Sequence, residues 1–213
     1  MPTIAELRSI IRGQLTGQVP VDDVRLRDRW LDQVMHQQRA LLIAQYGRGT
    51  GVPQSYYQII DCLEVQCGEV ECYGIKSGVK HNYIVVPLIS SIRDAVSYLG
   101  TVDGQMNFTE MSLSGFNAQG GRFGRKPPAF TLIQDKALLK DLPPVKIIRL
   151  VAVLYNPSHG LCGQSIDDFL YPIDDEDIAK LTTLSIKQIA STLNIPPDIQ
   201  NDAAGQMAPS NQR

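Results

Sequence analysis

Residues 145–155 read VKIIRLVAVLY and form the most strand-like stretch of the chain. Apolar residues, most of them β-branched or aliphatic, follow one another almost without interruption. A near-continuous apolar run of this length is typical of a strand that is covered on both faces. We therefore expect this stretch to be a central strand, with the other strands of a sheet on either side of it.

The remaining strand signals lie between residues 53 and 172. Short segments there are rich in Val, Ile, Leu and aromatic residues, as strands usually are. A first hairpin is predicted within 98–115, turning at Asp103-Gly104, and a second at Asp135-Lys136. Further strands are predicted at 57–65, 69–73, 81–86, 129–134 and 137–139. The sequence thus predicts a mainly antiparallel body at 53–172, with five or six strands.

Helical patterns flank this body on both sides. Thr3 and Glu6 form a capping box that opens a short helix, and a longer helix is predicted to begin after an N-cap at Asp22. The glycine-rich residues 47–51 should end that helix, which gives a helical region at 1–52. Residues 173–195 predict a C-terminal helix, and 196–213 an extended tail with few large apolar residues. The predicted fold class is α+β.

Composition narrows the classes of function. The 213 residues carry 20 Lys and Arg against 22 Asp and Glu, a net charge of −2. Proteins whose main task is to grip nucleic-acid phosphates usually have a clear basic excess, so we do not expect sequence-independent DNA binding to be the main task of this chain. We find no apolar run near the roughly 20 residues of a membrane helix and no signal peptide. We therefore expect a soluble protein that assembles in a cytoplasm.

The chain has four cysteines, a residue type that can form a metal or redox site. Cys62, Cys67 and Cys72 recur at five-residue steps, the loosest form of a zinc pattern, and Cys162 lies far away. In a cytoplasm we expect all four to be reduced, and we interpret them as small apolar residues in or beside strands. The sequence predicts no metal site and no cofactor.

Two short stretches are weak candidates for enzymatic chemistry. Ser158-His159 is the only Ser–His adjacency, and no G-x-S-x-G surrounds it. Asp174, Asp175, Glu176 and Asp177 favour the start of a helix through its dipole, with a carboxylate pair for acid–base work as the alternative. We expect the protein not to be an enzyme and predict no catalytic residue.

Two basic clusters are candidate contact sites. Arg25, Arg27 and Arg29 crowd the start of the long helix, where cations oppose the helix dipole. They are either part of a solvated face or contacts to carboxylates of another subunit. Arg122, Arg125 and Lys126 lie in a glycine-rich loop at 119–128. That loop is either an exposed hairpin loop or a contact to DNA phosphates or to an adjoining subunit.

Several short motifs span nearly the whole chain, and none of them is catalytic. They read DDVRL at 22–26, RALL at 39–42, QIIDCLEV at 58–65, YNP at 155–157, YPI at 171–173 and PDIQNDA at 197–203. In their order, these motifs resemble those of ring, or head–tail connector, proteins of crAss-like and related tailed phages of Bacteroidetes.

The resemblance implies a virion structural protein in the neck or upper tail. It implies a homo-oligomeric ring, usually twelvefold, stacked beneath the portal protein and beside other neck or tail ring proteins, around the DNA channel. The family carries no catalytic residue or cofactor to transfer. Another tail or cargo-associated virion binding protein is the alternative at this point.

Overall fold

The computed structural model describes residues 1–15, 27–49, 51–69, 80–90, 92, 94–118 and 127–193. These residues form an α+β fold, which confirms the predicted class. The helices are α1 Ile4–Leu15, α2 Asp28–Tyr46, α3 Leu113–Ala118 and α4 Ile178–Leu193. The strands are β1 Gln58–Glu64, β2 Gln66–Glu69, β3 Lys80–Val85, β4 Val96–Thr101, β5 Thr109–Glu110, β6 Ala129–Ile133, β7 Lys136–Lys140 and β8 Ile147–Ala152. The predicted tail at 196–213 lies outside the described residues.

The strands form two sheets, where the sequence had predicted one. The first sheet has the order β1-β8-β4, and the second has the order β2-β3-β7-β6-β5. Their pairs are antiparallel except for the parallel pair β5–β6. The single-sheet prediction was wrong because alternation of apolar residues marks strands but does not say which strands pair. β1 and β2 are neighbours in the chain, yet they belong to different sheets.

The central position of the 145–155 stretch is confirmed. β8 lies between β1 and β4, and its Ile148, Leu150 and Ala152 are fully buried. These residues join side chains of the second sheet, such as Ile84 and Phe130, in one apolar core. The alternate residues of β8 are only partly covered or exposed, so one face of the sheet remains near the surface.

Both predicted hairpin turns are present, but only the second one joins two strands of the same sheet. β6 and β7 form the second hairpin, although its turn lies at Gln134-Asp135, one residue earlier than predicted. The first also turns where predicted, at residues 101–106, but its return segment pairs with β4 only through the Gly100–Asn107 bridge. After that bridge the chain joins β6 of the second sheet as β5.

The helices pack around a second apolar core. α1 begins with the predicted capping box, in which the Thr3 N–H donates to Glu6 Oε2 (2.8 Å) and the Glu6 N–H to Thr3 Oγ1 (3.2 Å). α2 begins at Asp28, with Arg27 as its extended N-cap, so the predicted start after Asp22 was wrong. This start is held by tertiary ion pairs: Arg12 of α1 binds Asp28, and Arg8 binds Asp32 (2.7 Å). Asp22 lies outside the described residues.

One buried cation ties the helices to the sheets. Arg39 of α2 is fully buried and donates to three backbone carbonyl oxygens, those of Pro172 (2.7 Å), Leu154 (2.8 Å) and Tyr56 (3.0 Å). Its guanidinium also lies over the Tyr56 and Tyr171 rings, 5.4 and 6.0 Å from their centroids. Burial lowers the pKa of Arg39 from its ordinary value. The hydrogen bonds join α2 to the segment before β1, the segment after β8 and the entrance to α4.

A buried carboxylate, that of Asp177, joins the end of α2 to the start of α4. Asp177 is fully buried and accepts hydrogen bonds from Tyr46, Tyr56 and Lys180, each at 2.7 Å. Burial alone would raise the pKa of Asp177, but the bonds from Lys180 and the two tyrosines outweigh it and hold the pKa below its ordinary value. The acidic cluster at 174–177 therefore starts a helix, as predicted, and its most buried member is bonded inside the fold.

Candidate assembly surface

A groove runs along the outer edge of β1. It has a volume of about 360 Å³ and is lined by residues of the strand edge, of the turn that follows β8, and of the segment before α4. β1 is an edge strand of the three-stranded sheet, so the groove flanks backbone that is not covered by another strand of that sheet. Unpaired sheet edges are natural sites for pairing with another chain.

Two exposed apolar side chains mark this groove. Ile59 in β1 is 64% exposed, and Leu170, which lines the same groove, is 56% exposed. The strand period explains Ile59: Ile60 faces the core and is only 2% exposed, so its neighbour must face outward. Exposed aliphatic residues that line one groove are a common mark of an interaction surface.

A polar group in the groove wall lacks a partner. Gln58 is 6% exposed, and its Nε2 donates to the carbonyl oxygen of Pro157 (2.9 Å). Its Oε1 is buried and has no hydrogen-bond partner among the described residues. A buried acceptor without a donor costs about 1–3 kcal/mol. This acceptor has no contact with solvent, so it lies inside the groove wall and does not face a partner in the groove.

One residue that lines the groove, Cys162, belongs to a disulfide. Cys62, at the bulge of β1, is joined to Cys162 in the turn after β8, with the two Cα atoms 5.8 Å apart. The expectation that all cysteines are reduced is corrected for this pair. Sequence spacing had grouped Cys62 with Cys67 and Cys72, whereas the fold brings together two residues that are 100 positions apart. Cys67 is an exposed free thiol, and Cys72 lies outside the described residues.

Among the described residues, no three His, Cys, Asp or Glu side chains are placed to hold a metal ion together. Cys62 and Cys162, as disulfide sulfurs, are also not thiolate ligands.

A second, more polar groove contains Ser158 and His159. It has a volume of about 450 Å³ and is also lined by Asp32 and His36 of α2. The Ser158 hydroxyl donates to Asn156 Oδ1 (2.6 Å), and Asn156 Nδ2 lies 3.2 Å from His159 Nε2. The serine hydroxyl is thus bonded to an amide and not to the imidazole, whereas a nucleophilic serine needs its base within hydrogen-bond reach.

Two other ionisable groups of the polar groove, Asp32 and His36, are also engaged. Both carboxylate oxygens of Asp32 accept hydrogen bonds from Arg8, each at 2.7 Å. His36 Nδ1 lies 3.0 Å from the Tyr171 hydroxyl, and burial, with the nearby Arg39 charge, lowers the pKa of His36 to about 4. His36 is therefore neutral near pH 7, and these contacts tie the groove floor to the helical core.

Of the six predicted basic contact residues, the structure describes only Arg27 and Arg29. Arg27 and Arg29 are exposed at the start of α2, and Arg29 lines the polar groove. No ion pair of either arginine is found within the described part of the chain. Arg25 and the loop residues Arg122, Arg125 and Lys126 lie outside the described residues. Their predicted contacts to DNA or to another subunit therefore stay predictions.

Sequence reasoning missed the groove at β1. The alternation in QIID at 58–61 does signal that Ile59 faces away from Ile60. It does not signal that Leu170, more than 100 residues later, lines the same groove, nor that Gln58 Oε1 lacks a donor. Those facts depend on long-range packing.

No helix within the described ranges is both long enough and apolar enough to cross a membrane. No protein-family model matches this chain, and a search of curated proteins found no match.

Proposed function

We propose that this chain is a structural subunit of a tailed-phage particle and not an enzyme. Copies of it would close into a ring at the neck or upper tail, the head–tail connector region, around the DNA channel. The twelvefold symmetry, the portal protein and the adjoining ring proteins as partners, and the location in the virion follow from the sequence resemblance. Double-stranded DNA would pass through the ring without being gripped, consistent with the net charge of −2.

The apolar groove along the edge of β1 carries this proposal. Ile59 and Leu170 are among the residues that line it, and both expose aliphatic surface. A subunit that buries part of its surface only in an assembly has this combination of features, because burial of apolar area drives association.

The internal bonding of polar residues supports the same reading. Arg39, Asp177 and Asp32 are buried, and each makes its hydrogen bonds inside the fold. These groups hold the helices and sheets together. Little order then has to be created in this part of the fold when a subunit docks.

The test is the mass of the purified chain in solution, alone and with the portal protein of the same phage. We expect a defined, many-copy complex when the portal is present, measured by native mass spectrometry or sedimentation. A chain that stays monomeric at every concentration and ignores the portal would refute the ring proposal. It would favour another tail or cargo-associated binding protein.

A further inference from the structure

The turn at residues 161–164 forms part of the wall of the groove along β1. Three of its residues line the groove, Leu161, Cys162 and Gln164. The chain on either side of the turn is fixed by packing. A Cβ on Gly160 would lie within 3.4 Å of three side-chain atoms, and Ile166 packs against the helical core. The turn therefore spans the interval between two anchored residues.

The turn itself is held mainly by the disulfide. For residues 162–165, the one hydrogen bond found within the described part of the chain runs from the Gln164 N–H to the Leu161 carbonyl oxygen (2.7 Å), inside the turn. The covalent bond between Cys162 and Cys62 joins the turn to β1. Breaking that bond would therefore leave the turn without a specific tie to the strand.

The disulfide is open to reagents in solution. Cys62 and Cys162 are both exposed, and neither belongs to an apolar core. Cys62 also lies at the irregularity of the β1–β8 pairing, between the paired residues Ile60 and Leu63. Exposed disulfides are reduced more readily than buried ones. Opening this bond would uncover no core and would break no strand pairing.

Cys162 has a backbone conformation that side chains rarely adopt. Its φ is 41°, and that of the following Gly163 is 86°. Glycine takes such left-handed angles freely, whereas other residues are strained there and need support from their surroundings. The bond to Cys62 supplies that support, so a reduced Cys162 is free to relax to a negative φ and to change the path of the turn.

We propose that the Cys62–Cys162 bond is a thiol-responsive redox switch on the wall of the groove along β1. In an oxidising environment the bond is closed, and the turn at 161–164 is ordered beside β1. In a compartment rich in a small thiol of the glutathione type the bond is open, and the turn is mobile while both cores stay folded. This inference concerns the single chain and does not rest on the proposed ring.

Opening the bond consumes two thiol molecules. The thiolate of the first attacks one sulfur of the bond and forms a mixed disulfide with that cysteine, while the other cysteine leaves as a thiolate. The thiolate of the second attacks the outer sulfur of the mixed disulfide and releases the remaining cysteine together with a small-molecule disulfide. Two electrons pass from the thiols to the bond, and the two cysteines take up the two protons that the thiols gave up. The small-molecule disulfide closes the bond again by the reverse steps.

Equilibration of the folded wild-type chain with mixtures of reduced and oxidised glutathione tests the chemistry. Acid quenching, alkylation and peptide mass spectrometry give the reduced fraction of Cys62 and Cys162, and the free thiol of Cys67 reports complete alkylation. Without denaturant, we expect the pair to be mostly reduced at the glutathione poise of a cytoplasm and mostly oxidised at that of the endoplasmic reticulum. A bond that stays closed at the cytoplasmic poise until urea unfolds the chain would overturn the proposal.

Nuclear magnetic resonance relaxation tests the structural consequence. Backbone order parameters at residues 162–165 should be about 0.85 in the oxidised chain and below about 0.6 in the reduced chain. The β6–β7 hairpin should keep the same order parameters in both forms. The proposal is wrong if residues 162–165 are equally ordered in the two forms, or if the hairpin loses order together with the turn.

A serine variant separates the bond from other effects of the reductant. Cys162→Ser should have a mobile turn without any reductant and should not respond to glutathione. Cys67→Ser, which removes an exposed thiol outside the bond, should behave as the wild type does. A Cys162→Ser chain whose turn is as ordered as that of the oxidised wild type would contradict the switch, and the reduced wild type provides the same readout if this variant does not fold.

Discussion

Replacing Arg39 by methionine should destabilise the fold through the backbone and not through a lost ion pair. Methionine has a similar volume, although it is shorter, and it keeps apolar contacts, but it donates no hydrogen bond. The carbonyl oxygens of Tyr56, Leu154 and Pro172 would each lose the donor that Arg39 provides. These carbonyls belong to three separate segments, so the loss would loosen the junction between the helices and the sheets.

The expected magnitude follows from these three contacts. A buried carbonyl without a donor costs about 1–3 kcal/mol. Removing the buried charge also removes its desolvation penalty, which offsets part of the loss. We therefore take the low end and expect the free energy of unfolding to fall by about 3 kcal/mol. That is a large share of the roughly 5–15 kcal/mol of a typical domain.

Urea unfolding followed by circular dichroism measures this change. With a slope of about 2 kcal/mol per molar urea, the midpoint should fall by roughly 1.5 M. Arg29→Met is the matched control, because Arg29 is exposed on the same helix, and it should change stability by less than about 0.5 kcal/mol. A loss below about 1 kcal/mol for Arg39→Met would refute the view that this cation is needed to satisfy the three carbonyls.

Three further predictions address other parts of the fold. Replacing Cys62 and Cys162 together by serine should lower the free energy of unfolding by about 4 kcal/mol, since the bond closes a loop of 100 residues, and reductant should have no further effect on that variant. The pKa of His36 is lowered to about 4, so the unfolded chain binds a proton at this residue before the folded chain does as pH falls. The contribution of His36 to the free energy of unfolding should be full above about pH 6.5 and should decline by up to about 3 kcal/mol towards pH 4. Urea unfolding curves measured across this pH range should lose that decline in the His36→Gln variant. Gly100→Ala should cost about 1–3 kcal/mol in thermal unfolding, because its Cβ would meet a carbonyl oxygen of the turn at 2.0 Å, whereas Gly49→Ala, with open space around it, should be close to neutral.

The basic contact residues and the groove at β1 would respond differently to salt in an assembly. Arg27 and Arg29 would meet carboxylates of a neighbour, whereas a neighbour in the groove at β1 would bury apolar surface. Substituting the arginines should change the salt dependence of association, since exposed charges are screened by salt. Substituting Ile59 should weaken association at every salt concentration.

The sequence by itself determined most of the elements of this protein. Apolar periodicity located α1, α4 and the central strand β8, and the Thr3–Glu6 capping box placed the start of α1 to the residue. These features depend on interactions between residues a few positions apart, such as capping and strand alternation, so a local reading was sufficient.

Only the tertiary structure decided how those elements combine. The division into two sheets, the start of α2 at Asp28, the Cys62–Cys162 bond and the groove between Ile59 and Leu170 all involve residues that are distant in the chain. Each is set by packing, burial and pairing between separate segments, and local sequence pattern carries no information on which distant segment a given residue will meet.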